Sequence, residues 1–402
     1  MGMNETPSGE RLHIGLFGRR NAGKSSLMNA LTGQAASVVS DVAGTTTDPV
    51  RKAMELLPIG PVVFIDTPGF DDEGNLGGLR VERTRQMLET VDVALLLIDA
   101  AAGKSETDDA LETLFAARDI PYLTVYTKQD LALESEMGEG LRVSAKTGHN
   151  IPKLKEQIVK TAANRREPPP LLGDLVRPGD FVVLVTPIDD AAPKGRLILP
   201  QQQAIRDLLD RGAVAVVTKE TELSHTLKTL GRNPALVVTD SQAFEQVAAE
   251  TPEDVRLTSF SILMARRKGL LEAAVRGVAA IETLREGDTV LVCEGCTHHR
   301  QCGDIGSVKL PRWLARHTGK NLNIRLCSGA DFPEDLSDTA LVLHCGGCLL
   351  NERAMAHRVR AARTQNVPIT NYGTAIAYMK GILPRSLEIF PALRAVLSGA
   401  DS

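Results

Sequence analysis

Short, continuously apolar runs alternate with stretches of helical spacing along most of this chain. His13–Phe17 reads as a strand, and Val62–Ile65, Val93–Ile98 and Tyr122–Tyr126 are short, mainly apolar runs, which predicts strands buried on both faces. Ser25 to about Leu31, Glu112–Arg118 and Lys153–Asn164 repeat their apolar residues at helical intervals. The run Glu167-Pro168-Pro169-Pro170-Leu171-Leu172-Gly173 breaks the alternation. Three prolines cannot continue a helix, so 167–173 reads as a linker at a domain boundary. A second series follows, with strands expected at Phe181–Thr186, Val214–Thr218 and Leu236–Thr239 and helices at Gln201–Asp210, Glu222–Leu230 and Gln242–Glu250. A helical stretch from about Leu270 to Arg285 leads into a third series, with strands at Thr289–Val292, Ile324–Cys327, Ala340–Leu343 and Pro368–Asn371. The pattern predicts three α/β parts with mainly parallel sheets, over residues 8–166, 174–268 and 269–402.

Composition agrees with this division. A chain of 402 residues exceeds one ordinary core. Apolar residues make up 43% and aromatics only 3%, so the interior is built from Ala, Val, Leu and Ile, as covered parallel sheets require. The net charge of −4 gives no general attraction to nucleic acid or anionic membrane. No run reaches the roughly 18 apolar residues of a membrane span, and the polar N-terminus lacks a signal-peptide core. A cytoplasmic protein is expected. All six cysteines fall at or after position 293. In a cytosolic chain that clustering points to metal or redox chemistry rather than structural disulfides.

Two sets of motifs carry chemistry. The first is Gly18-x4-Gly23-Lys24-Ser25, placed after a predicted strand and before a predicted helix. Its backbone N–H groups, including those around Asn21, Ala22 and Ser26, can cradle phosphate. Lys24 can reach the β/γ oxygens, and the Ser25 hydroxyl can ligate Mg²⁺. Four further elements follow in order: Gly44-Thr45-Thr46, Asp66-Thr67-Pro68-Gly69, Thr127-Lys128-Gln129-Asp130 and Ser144-Ala145-Lys146. Asp66 can hold Mg²⁺ through water, the Gly69 N–H can meet the γ-phosphate, and Thr45 or Thr46 can close over the metal. Asp130 can accept from the guanine N1–H and 2-amino group, with Lys128, Ser144, Ala145 and Lys146 supporting the base. Five ordered elements predict an N-terminal P-loop GTPase domain that hydrolyses GTP.

The wording Gly18-Arg19-Arg20-Asn21-Ala22-Gly23-Lys24-Ser25-Ser26-Leu27 resembles the TrmE/Era class of bacterial GTPases. That resemblance implies a K⁺ ion held through Asn21, which supplies the charge an arginine finger supplies elsewhere. The alternative for Asn21 is a turn-forming residue only. Two departures stand out. Phe70 occupies the position of a water-orienting glutamine, so slow intrinsic turnover is expected. Thr127 stands where the base motif usually has asparagine, which predicts weaker nucleotide binding.

The second set is Cys296-Thr297-His298 and His344-Cys345-Gly346-Gly347-Cys348, both just past predicted strands. Ligands of open α/β sheets bind outside the carboxyl ends of strands. Cys296, His298, Cys345 and Cys348 could close a zinc tetrahedron. The three cysteines could instead hold a [4Fe-4S] cluster with one open iron. His298, His299 and His344 read either as ligands or as hydrogen-bonding neighbours of ligands. Cys327 reads as a core thiol, Cys293 as a buried strand-end thiol or an alternative ligand, and Cys302 as a spare ligand or a surface thiol.

Together with the surrounding words Glu294-Gly295-Cys296-Thr297-His298-His299-Arg300-Gln301-Cys302 and Leu343-His344-Cys345-Gly346-Gly347-Cys348, the chain resembles the [FeFe]-hydrogenase maturation GTPase family, HydF. The resemblance covers the whole architecture. It implies a middle dimerisation domain, a C-terminal cluster-binding domain and a homodimer or higher homo-oligomer. It implies a [4Fe-4S] cluster on Cys296, Cys345 and Cys348, with His298, His299 or His344 as fourth-ligand candidates. It also implies receipt of a diiron precursor carrying CO, cyanide and a dithiolate bridge, made with the radical-SAM maturases HydE and HydG, and its delivery to apo-[FeFe]-hydrogenase. A competing expectation is a TrmE/Era-like GTPase acting on RNA or ribosomes with a structural zinc. The clearest basic run available to it is Arg266-Arg267-Lys268, which reads more simply as a solvated helix face. A degenerate GTPase with a closed zinc site is a third reading, opposed by the intact Lys24, Ser25 and Asp66.

Overall fold

The computed structural model describes residues 6–33, 50–67, 84–131, 140–163, 168–188, 197–295, 304–329 and 331–397. They form two compact units, 1–167 and 168–402.

The first unit is a six-stranded sheet. Its strands are β1 (Leu12–Phe17), β2 (Arg51–Leu56), β3 (Gly60–Asp66), β4 (Val93–Asp99), β5 (Tyr122–Thr127) and β6 (Leu141–Arg142), in the order β2-β3-β1-β4-β5-β6. All pairings are parallel except β2 with β3. The apolar runs serve both faces. Ile14, Leu16, Val62, Phe64, Val93, Leu95 and Leu97 enter one core, while Phe17, Val63, Ile65, Ala94, Leu96 and Ile98 enter the other. This is why the runs lack alternation. The edge strand β2 was not expected from the pattern. Its Arg51-Lys52-Ala53-Met54-Glu55-Leu56 alternates as a half-solvated strand does, and its charges blunt the sheet edge.

The second unit holds two four-stranded sheets. One comprises β7 (Phe181–Val185), β8 (Val214–Thr218), β9 (Leu236–Thr239) and β10 (Leu257–Ser259), in the order β10-β9-β7-β8. The other comprises β11 (Thr289–Glu294), β12 (Asn323–Ser328), β13 (Thr339–His344) and β14 (Ile369–Asn371), in the order β12-β11-β13-β14. Both are wholly parallel. The chain leaves β11 for β12 on one side and returns to β13 on the other. The carboxyl ends of β11 and β13 therefore flank a topological switch point.

Three expectations change here. The proline-rich segment does end the helix Ile151–Ala163, yet Leu171 and Leu172 are buried in the core against β7. Asp207 accepts the backbone N–H of Gly173 at 2.7 Å, so this part of 167–173 is packed structure. Arg266-Arg267-Lys268 is not a solvated face. Arg266 pairs with Asp174, Arg267 donates to the Pro169 carbonyl, and Lys268 is buried. The stretch 270–285 is not one helix but Leu271–Gly277 followed by a 3-10 turn, Val278–Thr283.

The two sheets of this unit share a core running from Val183 to Leu387. The helix Phe260–Arg267, which the pattern also missed, joins them. The fully buried Asn371 ends β14, accepts the Thr374 N–H as a helix cap, and donates to both the carbonyl and the hydroxyl of Ser261. Gly373 is required beside it, because a Cβ there would lie 2.6 Å from the Ser261 Cβ. Replacing Asn371 with alanine removes the cap on the Thr374 N–H and both side-chain bonds to half-buried Ser261. The expected cost is about 2–4 kcal/mol. Calorimetry of the full chain should show a lowered transition for 168–402 with GTP hydrolysis preserved; an unchanged thermogram would remove this role.

Candidate functional site

The nucleotide motifs converge at the carboxyl ends of β1, β3 and β5. The loop after β1 needs unusual backbone. Gly18 has φ 141°, and a Cβ there would lie 2.3 Å from the Leu97 carbonyl oxygen. Asn21 adopts φ 63°, a left-handed conformation asparagine tolerates better than most residues. Gly23, at φ 85°, caps the helix Lys24–Thr32, whose first N–H groups point toward the loop. Ala22 is buried, and Ser26 is exposed in the first helical turn. The Lys24 ammonium donates to the carbonyls of Gly18 and Arg19 at 3.0 and 2.8 Å, across the loop.

The Ser25 hydroxyl donates to Asp66 Oδ2. Asp66 Oδ1 is buried and has no hydrogen-bond partner among the described residues. Burial raises the Asp66 pKa, against the lowering effects of Ser25 and Lys24. A hydroxyl and an orphaned carboxylate oxygen of this kind fit a hard divalent cation such as Mg²⁺.

Thr127 does something the sequence did not reveal. Its buried hydroxyl donates to the Ala22 carbonyl at 2.7 Å and lies 3.2 Å from the Ile98 carbonyl. The residue that replaces the usual asparagine thus ties the phosphate loop to β4 and β5. Lys128 pairs with Asp99 at 2.7 Å. The Asp130 carboxylate accepts from the Ser144 hydroxyl at 2.7 Å, which holds its pKa below the ordinary value. Ser144 also accepts the Thr147 N–H. Ala145 is half-buried and Lys146 exposed beside them. Thr45, Thr46 and Gly69 lie outside the described residues.

The thiol site stands at the switch point between β11 and β13. Cys345 follows β13, and its N–H donates to the Cys293 carbonyl at 2.9 Å. Its Sγ accepts two backbone N–H groups, from Gly295 at 3.0 Å and Gly347 at 3.3 Å. Such donors stabilise a thiolate and tune bound metal. Both glycines sit in close quarters, and Gly347 also has a positive φ of 66°. A Cβ on Gly347 would lie 2.3 Å from Met355 Cε, and one on Gly295 would lie 3.3 Å from the Gly347 Cα. Cys348 is half-buried in the turn that leads to Asn351, whose side chain caps the helix Glu352–Thr364. Cys296, His298 and His299 lie outside the described residues, but Cys296 is bonded directly to Gly295, which touches the Cys345 sulfur.

His344 does not match its candidacy as a ligand. It is completely buried. Nδ1 bonds the Cys345 carbonyl at 2.7 Å, and Nε2 faces Arg358 Nη1 at 2.7 Å. Nδ1–H must donate to the carbonyl, so the Nε2 lone pair is taken by the guanidinium. Burial, then the Arg358 charge, lowers its pKa to about 3. The ring is a neutral strut that orients the ligand loop.

Arg358, Tyr372 and Glu294 are neighbours that sequence reasoning missed. Arg358 lies in a polar-looking helix with no motif around it. The Tyr372 hydroxyl is buried with no partner among the described residues. Burial pushes its pKa up, reinforced by Cys345 and Glu294. Gly306 makes room for both, since a Cβ there would lie 2.5 Å from the Tyr372 oxygen and 2.6 Å from Glu294 Oε1. A buried phenol near a cysteine sulfur that accepts two backbone N–H bonds is compatible with a sulfur-rich group such as an iron–sulfur cluster.

Known proteins resemble the chain in two ways. Residues 13–128 match the family model of the 50S ribosome-binding GTPase. GTPase Der of Wolinella succinogenes is 35% identical over 194 residues, 43% of this chain and 41% of that protein. The tRNA modification GTPase MnmE of Chromobacterium violaceum is 39% identical over 159 residues, 38% of this chain and 35% of that protein. The chain thus spans about two-fifths or less of these relatives' length. Among solved structures, Era of Aquifex aeolicus bound to GDP·AlF4⁻ is 21% identical with a TM-score of 0.33, covering 60% of this chain and 99% of that one. The family match and the two curated relatives cover the GTPase part, which implies GTP and Mg²⁺ as ligands. Beyond it, residues 171–269 match the hydrogen maturase F dimerization domain and residues 272–389 the hydrogen maturase F tetramerization domain. Those two domains span more than half of the polypeptide and follow a GTPase domain in one chain, so it belongs to the hydrogen maturase F family, HydF, of hydrogenase-maturation GTPases.

Proposed function

We propose that this chain is a GTP-switched iron–sulfur scaffold that takes up a diiron CO/cyanide precursor and hands it to apo-[FeFe]-hydrogenase. The observation that carries the reading is the Cys345 sulfur, which accepts N–H bonds from Gly347 and from Gly295, the residue before Cys296. Cys345 and Cys348 stand at a strand-end crevice, and Cys296 follows Gly295 directly in sequence. Cys296, Cys345 and Cys348 hold a [4Fe-4S] cluster, with His298 or His299 as the nearby fourth-ligand candidates. The bound cluster supplies an iron whose weak fourth ligand can be exchanged for an incoming group. Around it, Gly295 and Gly347 N–H groups balance thiolate charge, His344 fixes the Cys345 carbonyl, and the Tyr372 hydroxyl offers a donor. The precursor is cargo, made with the radical-SAM maturases HydE and HydG.

In the GTPase unit, Lys24 and the loop N–H groups bind the phosphates, and Ser25 with Asp66 holds Mg²⁺. Thr46 and Gly69 sense the γ-phosphate, Asn21 holds K⁺, and Asp130 reads guanine. Hydrolysis serves to switch segments and release partners, since γ-phosphate contacts order such segments and their loss frees them. The dimerization and tetramerization domains make the working form a homo-oligomer. No helix among the described residues is long and apolar enough to cross a membrane.

Anaerobic reconstitution with iron and sulfide should give a reducible cubane, seen by electron paramagnetic resonance, that Cys345→Ala loses while GTP hydrolysis persists. Uptake of zinc alone would sink the scaffold reading and favour a structural metal. Thr127→Ala removes the tether to Ala22, and one buried hydrogen bond is worth about 1–2 kcal/mol. GTP should bind roughly 5- to 30-fold more weakly, with Thr127→Ser close to wild type; unchanged affinity in the alanine variant would show the tether to be idle. Hydrolysis should run faster in K⁺ than in Na⁺, and Asn21→Ala should erase the difference. Equal rates in both salts would remove K⁺ from the mechanism.

A further inference from the structure

Two thiols lie one strand away from the ligand loop and take no part in it. Cys293 on β11 and Cys327 on β12 are partners in parallel register, with their sulfurs 2.9 Å apart and both free. This is well inside ordinary sulfur–sulfur contact. Strands in a sheet run about 4.8 Å apart, within the Cα separation a disulfide spans. The two thiols are unequal. Cys293 is fully buried, whereas Cys327 is half-buried on the edge strand of its sheet. Behind them stands Arg358, only 2% exposed. Its guanidinium contacts His344, the Gly329 carbonyl and the Phe332 ring, and among the described residues no carboxylate pairs with it. A buried cation without a carboxylate favours a nearby anion, and a thiolate can serve.

We propose that Cys327 and Cys293 form a redox-active dithiol that is oxidised by low-molecular-weight disulfides, with Cys327 attacking and Cys293 resolving. The Cys327 thiolate attacks one sulfur of a disulfide RSSR, forming a Cys327–S–S–R bond and expelling RS⁻. Cys293 then attacks the Cys327 sulfur and expels the second RS⁻. Two cysteine sulfurs are oxidised, RSSR is reduced to two thiols, and the two cysteine protons end on them. Accessibility agrees with this order: half-buried Cys327 on an edge strand can be reached by a disulfide, and fully buried Cys293 cannot. Because the Cys293 carbonyl holds the Cys345 N–H, the oxidised form alters the backbone on which the ligand loop rests. The dithiol itself stands whether or not a cluster binds.

The test uses the full chain carrying Cys345→Ala and Cys348→Ala, which removes those two thiols from competition, treated anaerobically with glutathione disulfide. Mass mapping after alkylation should find a Cys293–Cys327 bridge that dithiothreitol reverses. Adding Cys293→Ser should stop the reaction at a glutathione adduct on Cys327. Adding Cys327→Ser should abolish the bridge and leave Cys293 unmodified. An unchanged circular dichroism spectrum and an unchanged calorimetric transition of 168–402 establish folding in each case. Stable glutathione adducts without a bridge, no reaction at either residue, or preferential attack by Cys293 would each overturn the proposal.

Discussion

A strand buried on both faces can present chemistry only at its ends. That constraint governs this molecule. The interior strands β1, β4, β11 and β13 are almost wholly apolar, and their backbone groups are consumed by parallel neighbours. Polar side chains therefore gather where the strands stop. Gly18 follows β1, Asp66 ends β3, Thr127 ends β5 and Cys345 follows β13. Each of the two units reaches the same solution independently, a crevice at the carboxyl edge of a parallel sheet. Glycine recurs there for one reason. Gly18, Gly295 and Gly347 sit where a single Cβ would strike a neighbouring group or crowd one, so close backbone approach depends on its absence.

The buried strands were legible because nothing else in the chain resembles them. Runs such as Val93–Asp99 and Phe181–Val185 are apolar without interruption, and their positions came within a residue or two of the expected ones. What escaped notice was amphipathic or short. β2 alternates lysine and glutamate with small apolar residues, and β10 is only Leu257–Ser259. The helix Phe260–Arg267 was read through its charged end, yet tertiary contacts decide the fate of those charges. Arg266 and Arg267 are drawn onto the proline-rich segment, which in turn buries its leucines. Composition alone could not separate a linker from a docked strap.

The candidate sites divide the same way. Residues whose role follows from local backbone, such as the phosphate loop and the Cys345-Gly346-Gly347-Cys348 turn, were visible as motifs. Residues whose role follows from burial were not. His344 looks like a ligand in sequence because it adjoins a cysteine, and the strand period turns it inward, where Arg358 occupies its remaining lone pair. Thr127 looks like a defect because it departs from the base motif, yet its hydroxyl fastens the loop that binds phosphate. In both cases the deciding partner lies far away in sequence, fourteen residues in one and 105 in the other.

Placing a nucleotide switch and a thiolate site in separate units also constrains how they can influence each other. The clusters of buried apolar residues in each unit draw on that unit's residues alone. GTP can act by favouring one state of the whole assembly over another, through differential affinity. Linkage makes that reciprocal. If GTP weakens the hold on cargo or partner by some factor, cargo or partner weakens the hold on GTP by the same factor. Under the proposed delivery role, hydrolysis need supply little beyond irreversibility, and the slow turnover expected from Phe70 would let the GTP-bound state outlast the encounter with a partner.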